Sequence, residues 1–116
     1  MVKSYGLDCP VARTLDIVGE KWTLLILRDL LLKGAQRFHE LETSLAGMPA
    51  STLSARLKVL EGSGIVEVRQ YGDHPPRFEY VLTSKGWELG PVIQSLRDWG
   101  TRHTSGPSQS RRRPPG

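Results

Sequence analysis

A mainly α-helical domain with a small β-hairpin wing, a winged helix-turn-helix, is encoded in three adjacent stretches of this 116-residue chain. Phe38, Leu41 and Leu45 recur at i, i+3 and i+7, one stripe of a short helix. After Ala46-Gly47-Met48-Pro49, where Gly47 suits a positive-φ turn and Pro49 the first turn of a helix, a second stripe follows in Leu53, Leu57 and Leu60. Two short helices joined by a tight glycine-containing turn make a helix-turn-helix. Ile65 to Tyr71 and Arg77 to Leu82 then alternate like strands around Gly72-Asp73-His74-Pro75-Pro76, read as a five-residue hairpin loop. In that order the second helix is the one shaped for a major groove.

The elements upstream are two helices. Asp8 is a suitable N-cap, and Val11, Leu15 and Val18 form a stripe that stops at Gly19. Lys21 to Lys33 is apolar nearly all round, at Leu24, Leu25, Ile26, Leu27, Leu30 and Leu31, and stops at Gly34. Such a helix belongs in the middle of a domain. Gly62-Ser63-Gly64 closes the second helix of the helix-turn-helix, about Pro49 to Glu61. Downstream, Thr83 caps a helix bearing Trp87, Leu89, Val92, Ile93, Leu96 and Trp99, kinked at Gly90-Pro91. These are more large apolar residues than a terminal helix needs for its own chain. The excess points to a second copy, with Val11 and Leu15 of the first helix joining the same surface.

The groove-facing surface follows from helical geometry. With Leu53 and Leu57 inward, 100° per residue places Ser51, Ala55 and Lys58 on the far side, flanked by Thr52 and Ser54. Arg56 lies nearer the boundary, but its stem reaches outward. Pro49 to Leu60 carries two positive charges and no negative one. Small residues permit close approach to a groove, and hydroxyls with a basic pair can bond phosphates and base edges. Polar residues opposite a Leu stripe also mark any solvated helix, so the flanking turn and hairpin give this face its meaning. Arg37, His74 and Arg77 stand where the start of the first helix and the wing would meet flanking DNA backbone or the minor groove.

Length and composition fit one such domain and offer little room for an enclosed enzyme pocket. No apolar stretch is long enough to span a membrane, and Lys3 is followed by no hydrophobic run resembling a secretory signal. One cysteine permits no internal disulfide, which fits a reducing cytoplasm. The net charge of +4 belongs to the tail. All 12 acidic residues lie at or before Asp98, whereas Arg102, Arg111, Arg112 and Arg113 lie beyond Gly100, so the first hundred residues are balanced. Residues 1–7 read as an N-terminal arm, 8–100 as the DNA-binding and dimerisation domain, and 101–116 as a disordered basic tail. The tail's arginines would add only sequence-independent phosphate contacts.

Several separate segments together resemble the HxlR-type transcriptional regulators, a bacterial winged-helix group related to the MarR type. They are Cys9-Pro10-Val11, Gly19 to Arg28, Arg37-Phe38-His39-Glu40-Leu41, Leu53 to Leu57, Leu60 to Gly64, Pro75 to Tyr80, Leu82-Thr83 with Gly86, and Leu96 to Gly100. The resemblance covers about residues 7 to 100, in register. It implies operator binding as a homodimer built chiefly from the N-terminal and C-terminal helices. Pro49, Ala50 and Ser51 depart from the Ser and basic or Gln residues that many members carry at the start of the recognition helix, so no operator sequence carries over.

In part of that family the cysteine at the position of Cys9 resembles a redox or electrophile switch. A helix N-terminus and Arg13 would favour the thiolate and Asp8 oppose it; the plainer reading is a small buried apolar residue. His39, His74, His103 and Cys9 match no metal-ligand spacing, and neither a nucleophile elbow nor a phosphate loop is present, so neither a metal, a cofactor nor an enzyme is expected. The expected partners are duplex DNA and a second copy, with a small-molecule or electrophile effector left open. Repression needs only promoter occupancy. The rival reading is a winged helix that binds protein and no specific DNA.

Overall fold

The computed structural model describes residues 9–104. The elements run α1 (Pro10–Val18), α2 (Lys21–Lys33), α3 (Phe38–Ser44), α4 (Ala50–Gly62), β1 (Val66–Asp73), β2 (Pro76–Leu82), α5 (Ser84–Trp87) and α6 (Gly90–His103). Helices α3 and α4 are the helix-turn-helix, and β1 with β2 is the wing.

The N-cap of α1 is Cys9 instead of Asp8, which lies outside the described residues. Pro10 opens the helix, needing no N–H there, and the Cys9 Sγ accepts from the Ala12 N–H at 3.4 Å. Of the predicted stripe only Val18 reaches the core; Ala12 is the other buried residue, while Val11 and Leu15 face outward. Helix α2 has the bounds expected of it. Glu20 caps it by accepting from the Thr23 N–H at 3.0 Å, and Gly34 ends it at φ 81°. Ile26, Leu27 and Leu30 are fully buried and meet Leu41, Leu53, Leu57 and Leu60 of the helix-turn-helix in one core. Leu32 is exposed, however, and Leu24, Leu25 and Leu31 are only partly covered, so α2 has one open side.

Gly47 takes φ 102° in the turn after α3. Pro49 stands one position earlier than expected, as the N-cap of α4, with its carbonyl accepting from the Thr52 and Leu53 N–H groups. The wing corrects the predicted loop. Pairing runs on through Gly72↔Arg77 and Asp73↔Pro76, leaving only His74-Pro75, joined by a cis peptide, at the tip. Pro76 is tolerated because it opens its strand. The longer ladder accommodates one irregularity, a bulge at Tyr71 between paired Gln70 and Gly72. Gln36 adds a third, single-residue rung by exchanging backbone hydrogen bonds with Tyr80 at 3.0 and 2.7 Å.

The predicted kinked helix is two helices. Thr83 caps α5 by accepting from the Gly86 N–H at 3.1 Å. The chain then breaks at Glu88-Leu89, and α6 restarts with Pro91 in its first turn, the one place where a proline ring disturbs no helical bond. Helix α6 also runs past Gly100 through Thr101, Arg102 and His103, three residues assigned above to the tail; the Thr104 N–H closes it on the Gly100 carbonyl at 2.9 Å. The N-terminal arm and residues 105–116 lie outside the described residues.

Candidate nucleic-acid interface

Helix α4 hides Leu53, Leu57 and Leu60 and turns its polar side outward, as its period requires. Ser51, Ala55 and Lys58 are exposed; Thr52, Ser54 and Arg56 are half-buried along the edges of that face. No acidic side chain interrupts it before Glu61 at the far end. That end is held by Lys85, whose Nζ donates to the Ser63 carbonyl at 2.7 Å, and by Thr83, whose hydroxyl donates to the Gly64 carbonyl at 2.6 Å. A cation on carbonyls past a helix C-terminus also opposes the negative end of its dipole.

The wing places His74 and Arg77 in the open at and beside the tip. On its stem Arg69 pairs with Glu79 across the strands at 2.7 Å. Tyr80 packs half-buried at the root of the wing, and burial, then the Glu61 charge, pushes its phenol above the ordinary value.

Arg37 precedes α3 and is exposed. Its backbone N–H donates to Glu40 Oε1 at 2.8 Å, half of a capping box, and its Nη2 donates to Glu40 Oε2 at 3.3 Å. These bonds, backbone first, hold the Glu40 carboxyl below its ordinary value, while Glu40 and then Tyr71 raise the Arg37 guanidinium further. Arg37 Nη1 reaches the Tyr71 hydroxyl at 3.5 Å. Arg37 thus links to the wing at its bulge. Sequence reasoning passed over Tyr71, Gln36 and Lys85. The aromatic before Gly72 was the one visible hint of Tyr71; the other two act through pairings no local pattern encodes.

The residues assigned to pairing divide into two sets. Val11, Leu15, Trp87, Val92, Leu96 and Trp99 are all exposed, Trp99 at 58%, whereas Leu89 and Ile93 pack against the core. Between α2 and α6 lies an open, mainly apolar groove of about 880 Å³, walled by Leu24, Leu31, Trp87 and Leu96, with Arg28 and Arg97 also on its lining. Cys9 corrects the reading of a buried residue. Its side chain is exposed, because α1 turns its first residues away from the core. Among the described residues no helix is long and apolar enough to cross a membrane, and no group of three or more His, Cys, Asp or Glu is placed to hold a metal.

Residues 17–107 match the family model described as HxlR-like helix-turn-helix. An HTH-type transcriptional regulator of Synechocystis sp. is 39% identical over 96 residues, which span 83% of this chain and 70% of that one. The redox regulator HypR, solved in its oxidised form, superposes with a TM-score of 0.77 at 33% identity, covering 84% of this chain and 99% of HypR. A MarR-family transcriptional regulator structure from Porphyromonas gingivalis gives 0.75 at 34% identity, over 85% of this chain and 96% of that one. With helix, turn, helix and hairpin in place, the chain belongs to the HxlR-like helix-turn-helix family and is a winged-helix transcriptional regulator.

Proposed function

We propose that this protein binds specific duplex DNA as a homodimer and represses by occupying promoters. Helix α4 enters the major groove through Ser51, Thr52, Ser54, Ala55, Arg56 and Lys58, and the wing, with Arg37, His74 and Arg77, meets the flanking backbone or minor groove. One observation carries the reading: α4 offers an outward face of hydroxyls, one methyl and two cations with no acid before Glu61 at its far end, held between a turn and a hairpin. Exposed Val11, Leu15, Val92, Leu96 and Trp99 on α1 and α6 supply the surface for a second copy. The same reading places the protein with its DNA, in the cytoplasm. Selection of duplexes from a random-sequence pool tests it. Enriched fragments should share an inverted repeat and lose affinity steeply with salt. Arg56→Ala and Lys58→Ala should each weaken binding by about 1–3 kcal/mol. An interaction that ignores salt and prefers no sequence would favour the protein-binding alternative.

A second reading concerns control. Cys9 is exposed at the first turn of α1, and HypR is a redox regulator. The thiol is accessible to an oxidant or electrophile, and modification there would disturb the α1 cap and the surface proposed for pairing. A DNA-binding response to oxidant in the wild type that persists in Cys9→Ser would end this reading.

A further inference from the structure

Tyr71 is the residue of β1 that the ladder skips. Gln70 pairs with Phe78 and Gly72 with Arg77, so three residues of β1 face two of β2. A bulge breaks the strict alternation of side chains and re-aims the extra one. Here the phenol lies against the Arg37 guanidinium, 34 positions earlier in the chain. Core packing does not account for it, since Tyr71 is 40% exposed. The neighbour of Arg37, Gln36, is bonded to Tyr80 of β2 through its backbone. The entry to the helix-turn-helix is therefore tied to the wing twice, once by backbone and once by the Arg37–Tyr71 contact.

We propose that Tyr71 is a positioning residue for DNA binding: its hydroxyl holds the Arg37 guanidinium ready for a backbone phosphate and fixes the wing against α3. This rests on the DNA-binding reading above. A guanidinium has five donors, and Tyr71 and Glu40 engage only part of that fork. Tyr71 is the neutral holder, so it orients the group without cancelling its charge. Glu40 orients it too, but offsets part of the charge. A free arginine loses rotamer freedom when it meets a phosphate; one already held at both ends loses less. The bulge places the holder on the wing, so the phosphate contact and the wing angle are set together.

The test is a double-mutant cycle on a duplex that the wild-type protein selects from a random-sequence pool. Tyr71→Phe removes the hydroxyl and keeps the ring. It should weaken binding about three- to tenfold. Arg37→Ala should weaken it as well and lower the salt slope by about one counterion per protomer. Once Arg37 is alanine, Tyr71→Phe should add nothing. Among duplexes carrying neutral methylphosphonates at one pair of symmetry-related positions each, one pair should erase the difference between wild type and Tyr71→Phe, an effect that loosened folding would not produce. Wild-type affinity in Tyr71→Phe, or the same loss in both Arg37 backgrounds, would overturn the positioning role and leave DNA binding standing. A wild-type protein that selects no duplex at all would overturn both.

Discussion

The Ser44 hydroxyl donates to the Asp29 carboxylate, tying the last turn of α3 to the middle of α2 across fifteen positions. Asp29 is 2% exposed, and its other oxygen receives Arg28 Nε and Nη2 at 3.2 and 3.0 Å. Lys33 Nζ stands 3.7 Å from the carboxylate and donates to Ser44 Oγ at 3.0 Å. Both cations are nearly half exposed, so their Coulombic contribution is screened. The hydrogen bonds matter more, because they keep a buried carboxylate from standing unpaired.

Ser44→Ala should therefore destabilise the fold by about 1–3 kcal/mol, since it strips the close partner from one buried oxygen. Asp29→Ala should cost more, by adding a cavity. The double variant should lose less than the sum, because the two groups share one bond. Urea unfolding of the four proteins gives the coupling directly. Strict additivity would mean that the bond contributes nothing.

Glu40 makes a pH-dependent contribution of known sign. Its carboxyl is held below the ordinary value of 4.5 by the Arg37 N–H first and the guanidinium second. A depressed folded-state value means stability that is fully present above the unfolded value and lost as pH falls through the folded one. Glu40→Gln should thus unfold at a lower temperature than wild type at neutral pH. The gap should narrow as the solution is acidified below 4.5. A gap that stays constant, or widens, on acidification would show that the charge is not what stabilises the start of α3.

Two glycines should respond oppositely to alanine. A Cβ on Gly86 would strike the Ile65 carbonyl oxygen and lie 2.9 Å from Leu82 Cδ2, both fixed parts of the wing root. Gly86→Ala should cost about 1–3 kcal/mol, with α5 forced off the sheet. At Gly90 the nearest atom is Leu31 Cδ2 at 3.8 Å, ordinary contact. Gly90→Ala should be neutral or stabilising by up to about 1 kcal/mol, through helix propensity and a less flexible unfolded chain. Paired thermal melts decide both, and a stable Gly86→Ala protein would contradict the close approach.

Elements with local punctuation were legible in the sequence, and those set by distant pairing were not. Gly19 and Gly34 bracket α2 so sharply that its bounds, Lys21 to Lys33, could be read directly, while its Glu20 cap emerged only in the structure. The polar face of α4 likewise follows from the leucine period alone. Strand pairing at Asp73↔Pro76 was hidden because Gly, Asp and Pro read as loop whether or not a partner strand lies opposite. The bulge at Tyr71 depends on the count of residues on both strands, so the Arg37–Tyr71 contact had no local signature. Burial was legible only where the chain supplies its own cover. Cys9 is exposed although the plainer reading buried it, whereas the apolar excess had already marked the outer faces of α1 and α6 as more than their own chain covers.

Those outer faces give the last prediction. Helix α6 buries no residue completely, yet it carries Val92, Leu96 and Trp99 at 44, 52 and 58% exposure. Val11 and Leu15 of α1 are likewise exposed. At about 25 cal/mol per Å² of apolar surface, covering such side chains with a second copy is strongly favourable, and a two-fold axis would cover both sets together. The position to test is Leu96, because Ile93 packs against the core and its replacement would damage the fold itself. Leu96→Glu should remain folded by circular dichroism, sediment as a monomer, and lose affinity for the selected duplex although every groove-facing side chain is kept. Two recognition helices held by such an axis would read half-sites about 34–36 Å apart, or a multiple of that spacing. A wild-type protein that sediments as a monomer at micromolar concentration and still binds one asymmetric site tightly would defeat the pairing.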